Sequence, residues 1–318
     1  MDVSILQVAM AKGIGDVTLP LAPAVIDALH LRYINNNKID GESCLSNEVF
    51  YDLGFTPDII NNIKESNIQA SQIYDKLISQ KIEIISEISN DYPQYLKKIL
   101  QDKCPPLLFV KGNKNILNNI GVGFCGSRNV SDKGMSIAAN CAKQLVEKDV
   151  VVISGYAAGT DLTAHKSALE NGGKTIFVLA EGILKYNIKK QIGYLLNDEN
   201  HLFISQFLPG LTWKAANAMK RNSTIIGLSK AMILVESRLE GGTFAAGQEA
   251  LKMHCPLFVI DFLKPAVSAE ANPYFISKGG MPIRGKAGQP NMKNVFKSIL
   301  SEETPYNISN IEQLQIDI

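Results

Sequence analysis

Between residues 120 and 260 the chain alternates short, continuous apolar runs with longer stretches whose apolar residues recur at helical spacing. The runs at 120–124, 150–153, 175–179, 202–205, 232–235 and 257–260 read as strands buried on both faces. Between them, 131–148 carries Met135, Ala138, Ala139, Ala142, Leu145 and Val146 on one stripe, as an amphipathic helix does. Residues 161–170, 213–226 and 243–253 read as further helices. Strands and helices in this order predict an α/β, doubly wound, mostly parallel sheet with right-handed crossovers.

The flanks have a different texture. Residues 1–85 read as short helices separated by glycine turns at Gly13-Ile14-Gly15 and Asp52-Leu53-Gly54. That pattern predicts a small helical N-terminal domain, either of a helix-hairpin-helix kind that touches nucleic-acid backbone or purely structural. In the lead-in at 86–119, Tyr92-Pro93 and Pro105-Pro106 break a short helix at 95–100 from a strand at 107–110. The predicted organisation is a helical domain at 1–85, a core at 86–284 and a polar extension at 285–318. The extension has room for a short helix and a loose tail but for no winged helix.

Net charge adds little, at +1, but its distribution is uneven. Residues 211–300 hold 12 Lys and Arg against 5 Asp and Glu, whereas 301–318 hold four acids and no base. A local basic surface can attract polyanions even when the total is near zero. The five cysteines, Cys44, Cys104, Cys125, Cys141 and Cys255, are odd in number and never in CxxC spacing. They predict neither a disulfide framework nor a metal site. With no basic n-region and no long apolar stretch, the chain is expected to be cytoplasmic and away from membranes.

Four segments carry candidate chemistry. Gly126-Ser127-Arg128 follows a strand and precedes a helix, where glycine admits close approach, serine can donate and arginine can fork onto phosphate. Ser154, Gly155, Tyr156, Ala157 and Gly159 form a second strand-to-helix turn of small residues whose N–H groups could face an anion. Asp161 and His165 follow it on one helix face and are expected to be structural, with Asp161 as the helix N-cap. Lys220-Arg221-Asn222 is either a solvated helix face or a cationic addition to the site. Gly241-Gly242-Thr243, shortly after Glu236, offers unpaired N–H groups, a capping hydroxyl and the positive end of a helix dipole. Each turn alone could be a plain connection. Together they predict a phosphate-binding edge at the carboxyl ends of the strands.

As an ordered set, these motifs resemble the DprA/Smf family of DNA-processing proteins. The likeness rests on Gly126-Ser127-Arg128, on Ser154-Gly155 through Asp161 and His165, and on Gly172-Gly173. It continues through Arg221-Asn222 with 225–229, then Glu236 and Gly241-Gly242-Thr243, and includes Tyr92-Pro93 and 105–112 in the lead-in. The resemblance implies a Rossmann-like core that dimerises, binds single-stranded DNA without catalysis or cofactor, and loads a RecA-type recombinase in natural transformation. Arg128 and Arg221 would contact phosphate, and Glu236 would stand near the site. Residues 1–85 would match a sterile-alpha-motif-like domain. The chain departs from the pattern at Ser223, usually arginine, at Gln206, usually glutamate, and at Asp261-Phe262, usually Pro-Gly.

A different class competes. Phosphoribohydrolases of the cytokinin-activating type and nucleotide sensors belong to the same broader superfamily. Glu236 or Glu240 beside Gly241-Gly242-Thr243 could serve N-glycosidic cleavage of a nucleoside monophosphate.

Overall fold

The structure, a computed structural model, describes residues 2–11, 51, 56–87, 89–286 and 288–301, with only the backbone for 2–5. The glycine turns at 13–15 and 52–54, and Cys44, lie outside these residues.

In chain order the helices are α1 (Asp2–Met10), α2 (Pro57–Glu65), α3 (Asn67–Ser79), α4 (Gln94–Leu100), α5 (Asp132–Val146), α6 (Thr160–Glu170), α7 (Lys190–Gly193), α8 (Ala215–Leu228), α9 (Gly242–Lys252), α10 (Asn272–Ser277) and α11 (Lys293–Leu300). The strands are β1 (Ile82–Ser86), β2 (Leu107–Gly112), β3 (Gly121–Cys125), β4 (Val151–Ser154), β5 (Thr175–Val178), β6 (His201–Ser205), β7 (Ala231–Leu234), β8 (Leu257–Ile260), β9 (Met281–Ile283), β10 (Gly285–Lys286) and β11 (Gln289–Pro290). The six strands and four helices expected between 120 and 260 are all present within a few residues of their expected bounds.

The chain divides into two compact units. The first joins residues 1–117 to 177–189 and 197–224. Its helical part is built on α1, α2 and α3, whose buried faces bring together Leu6, Val8, Ile60, Ile63, Ala70 and Leu77. The Gln7 side-chain amide donates to the Ile63 carbonyl at 2.7 Å, and the Ser66 hydroxyl donates to the Gln7 carbonyl at 2.7 Å. Both are buried polar groups that need these partners. Strand β1 pairs antiparallel with β2, and β2 antiparallel with β6. The boundary expected near residue 85 therefore falls inside a hydrogen-bonded strand rather than in a linker. The run Ile82-Glu83-Ile84 has the apolar-polar alternation of a strand.

The second unit joins residues 118–176, 190–196 and 225–318. Five of its strands lie in the order β4-β3-β7-β8-β9, all parallel, and β10 pairs antiparallel with β11 in a separate ribbon. Val122, Phe124, Val152, Ile233 and Phe258 from these strands meet Ile137, Cys141 and Leu145 of α5 in one buried core. From β3 the chain first moves to β4 on one side, and later returns to β7 on the other. The carboxyl ends of β3 and β7 thus flank a topological switch point, where doubly wound sheets bind ligands.

Candidate nucleic-acid interface

Two sequence-predicted loops leave the sheet at that switch point. Residues 126–131 follow β3, and residues 235–241 follow β7. A network centred on Glu236 ties them together. The Ser127 N–H donates to the Glu236 carbonyl at 2.9 Å. The Glu236 carboxylate accepts from the Ser131 N–H at 2.9 Å, from the Ser131 hydroxyl, and from the Ser268 hydroxyl at 2.7 Å. Glu236 is fully buried. Ser131 is also the N-cap of α5, its oxygen accepting from the Gly134 N–H at 3.1 Å.

The third loop, after β4, packs on the first. The Thr160 N–H and hydroxyl both donate to the Ser127 carbonyl at 3.2 Å. A side chain on Gly126 would collide with Thr160, and one on Gly159 would collide with the Ser127 and Arg128 carbonyls. Gly159 has φ +77°, which favours glycine. The expected reason for these two glycines, room for a phosphate, is therefore joined by a plainer one: they let two loops touch. Arg128 is exposed on the loop so fixed. The Ser127 oxygen accepts from the Asn129 N–H at 3.1 Å, so its own proton remains able to donate.

Other predicted residues are committed inward. The Ser154 hydroxyl is buried and donates to the Phe124 carbonyl at 2.8 Å, so it braces two strands instead of facing a ligand. Gly155 is buried, and its carbonyl lies 2.7 Å from His165 Nε2, while His165 Nδ1 lies 2.6 Å from the Thr175 hydroxyl. This places His165 in the core. Asp161 is not the expected N-cap. Gly159 holds that position, and the Asp161 carboxylate reaches back to accept from the Ala157 N–H at 3.3 Å. That N–H is consequently not free for an anion. Tyr156 and Ala157 are half-buried in the same turn.

The Gly241-Gly242-Thr243 turn is the most open of the set. Gly241 has φ +92° and is the N-cap of α9, and the space where side chains of Gly241 and Gly242 would project is empty. The expected threonine cap does not form. Thr243 sits inside the helix, and no side chain caps it. An open glycine pair at a helix start can bring backbone N–H groups against a phosphate.

Lys220, Arg221 and Asn222 lie in α8, in the first unit. There Lys220 is exposed and Asn222 half-buried. Arg221 departs from the expected phosphate contact. It is 8% exposed, and its Nη1 donates to the Val178 carbonyl at 2.6 Å. A buried guanidinium bonded to a strand end holds the helix to the sheet of its own unit. The departures from the family pattern also find local partners. Gln206 accepts from the Thr224 hydroxyl, and Asp261 pairs with Arg284 at 2.7 Å. Sequence reasoning missed Ser131 and Ser268 as Glu236 partners. Ser131 was readable as a helix cap, whereas nothing near residue 268 signalled a contact 32 positions away.

Residues 70–285 match the family described as DNA recombination-mediator protein A. The chain belongs to that family. Among relatives of the recombination-mediator protein A family, it is 34% identical to DNA processing protein DprA of Streptococcus pneumoniae over 57% of this chain and 64% of that protein. It is 26% identical to the Bacillus subtilis DprA over 65% of this chain and 75% of the relative. In the first case the match spans less than two thirds of the relative's length. The solved Streptococcus pneumoniae DprA superposes with a TM-score of 0.67 at 24% identity, covering 91% of this chain and 96% of that one. DprA from Helicobacter pylori, whose structure is described for its single-stranded DNA binding mode, gives a TM-score of 0.57 at 22% identity over 69% and 95%. These two likenesses establish the Rossmann-like fold expected from the sequence.

Proposed function

We propose that the chain binds single-stranded DNA through the carboxyl edge of its parallel sheet and acts as a recombination mediator without catalysing a reaction. The observation that carries this reading is the placement of Arg128. It is exposed, on a loop locked by Glu236 and Thr160, at the switch point that also presents the open Gly241-Gly242 turn. Cations and backbone N–H groups on a rigid edge suit a phosphate chain. Family membership supports hand-over of the strand to a RecA-type recombinase, and the same membership supports a homodimer in the cytoplasm. No described helix is long and apolar enough to cross a membrane.

The competing phosphoribohydrolase reading needs a carboxylate free to move a proton. Glu236 is buried under three donors, which leaves exposed Glu240 alone for that role. Retention of a labelled oligonucleotide across a salt series tests the proposal. Binding should weaken steeply as salt rises and weaken further in Arg128→Ala. No retention at low salt, or release of free base from nucleoside monophosphates, would overturn it.

A further inference from the structure

The loop between β8 and α10 holds Asp261-Phe262 where the family usually has Pro-Gly. In the second unit it leaves the same sheet edge as the Arg128 and Gly241 loops, because β3, β7 and β8 are adjacent and parallel. It is anchored at both ends. The Asp261 N–H donates to the Ile283 carbonyl at 3.0 Å and its carboxylate pairs with Arg284. At the far end the Ser268 hydroxyl reaches Glu236, and the Ala271 N–H donates to the Ser237 carbonyl at 2.9 Å.

Between these anchors the loop turns apolar side chains outward. Leu263 is 98% exposed and Val267 73% exposed. Leu239, on the neighbouring loop, is 57% exposed, and its N–H donates to the Glu270 carboxylate at 3.4 Å. Isolated exposed leucines are ordinary. Here three large apolar side chains are exposed on two loops that the Leu239–Glu270 hydrogen bond ties together. The same loops expose the cations Arg238 and Lys264 and the acids Glu240 and Glu270, and Lys133 lies 5.6 Å from the Phe262 ring centroid. Exposed apolar side chains with cations on the same loops suit a strand whose phosphates are charged and whose bases are not.

We propose that Leu263, Val267 and Leu239 form a ledge that contacts the bases of a bound single strand while the neighbouring loops hold its phosphates. The inference rests on the reading of this edge as a single-stranded DNA site and adds base contact to it. The ledge is sequence-tolerant, since apolar contact with a base face needs no hydrogen-bond pattern.

The test compares a base-bearing oligonucleotide with an abasic strand of the same length, using the full chain. In the double variant Leu263→Ser, Val267→Ser, affinity for the base-bearing strand should fall about threefold to tenfold. Abasic binding and the slope of affinity against salt should stay as in the native chain. Leu263→Trp should place an exposed reporter on the ledge, quenched by the base-bearing strand and not by the abasic one. The ledge is overturned if the double variant binds both strands as the native chain does, the result expected of a surface that takes a protein partner. Equal losses on both strands overturn it as well. A native chain that binds neither strand refutes the DNA-site reading itself, and the ledge falls with it.

Discussion

Ser131 gives both its N–H and its hydroxyl to the buried carboxylate of Glu236, 105 positions later in the chain. The pair fastens the start of α5 to the end of β7 and so sets the loop that carries Arg128. Removing the acceptor leaves donors on half-buried Ser131 and buried Ser268 without that partner, each costing up to about 1–3 kcal/mol. Glu236→Ala should therefore lower stability by about 3 kcal/mol or more, read by denaturant unfolding. Glu236→Gln keeps the shape and one acceptor oxygen, and should lose less. Equal stability of both variants and the native chain would show that the clamp contributes nothing.

Arg128 and Arg221 should separate cleanly. Arg128 is exposed, so Arg128→Ala should shift the melting temperature far less than Arg221→Ala. It should weaken strand binding and reduce the salt slope by about one phosphate. Arg221 is buried on the Val178 carbonyl, so Arg221→Ala should cost stability, by about 2 kcal/mol, and leave the salt slope as it was. Thermal unfolding and salt-dependent binding, measured on both variants, decide the assignment. A changed slope in Arg221→Ala would return that residue to the interface.

The contrast between these arginines marks how far the sequence was legible. Continuous apolar runs specify strands whatever surrounds them, so β3, β4, β7 and β8 could be read from residues 120–260 alone. Gly126, Gly159 and Gly241 marked the turns correctly because only a missing side chain or a positive φ permits them. Which way a polar residue faces was not legible. Ser154 and Arg221 turn inward because a carbonyl across the sheet needs a donor, and that carbonyl comes from a segment distant in sequence. Asp161 lost its expected cap role for a local reason: Gly159 supplies the left-handed turn, which puts Asp161 inside the helix.

The described cysteines, Cys104, Cys125, Cys141 and Cys255, are buried thiols outside any disulfide. Burial pushes the Cys104 thiol up to about 11 and that of Cys141 up to about 12. Cys125 rises further, by desolvation first and then by the nearby Asp161 charge. The thiolate is the nucleophile, so these groups should be inert at neutral pH. Alkylation of the native chain followed by mass spectrometry should leave these four unmodified, and the same reagent in denaturant should label them all. Rapid native labelling of Cys125 or Cys141 would contradict the packing around β3 and α5.

Gly242 offers the sharpest separation of binding from folding. It is the first residue of α9, it lacks the positive φ of Gly241, and nothing lies within 4 Å of where its side chain would project. Alanine is the better helix former by about 1 kcal/mol, so Gly242→Ala should hold or raise stability. Gly241→Ala, forced to φ +92°, should cost about 1–2 kcal/mol. If a phosphate passes over this turn, the added methyl of Gly242→Ala occupies its path, and strand affinity should fall while the melting temperature does not. Unchanged affinity in a stable Gly242→Ala chain would move the phosphate path away from α9 and leave Arg128 as the contact to build from.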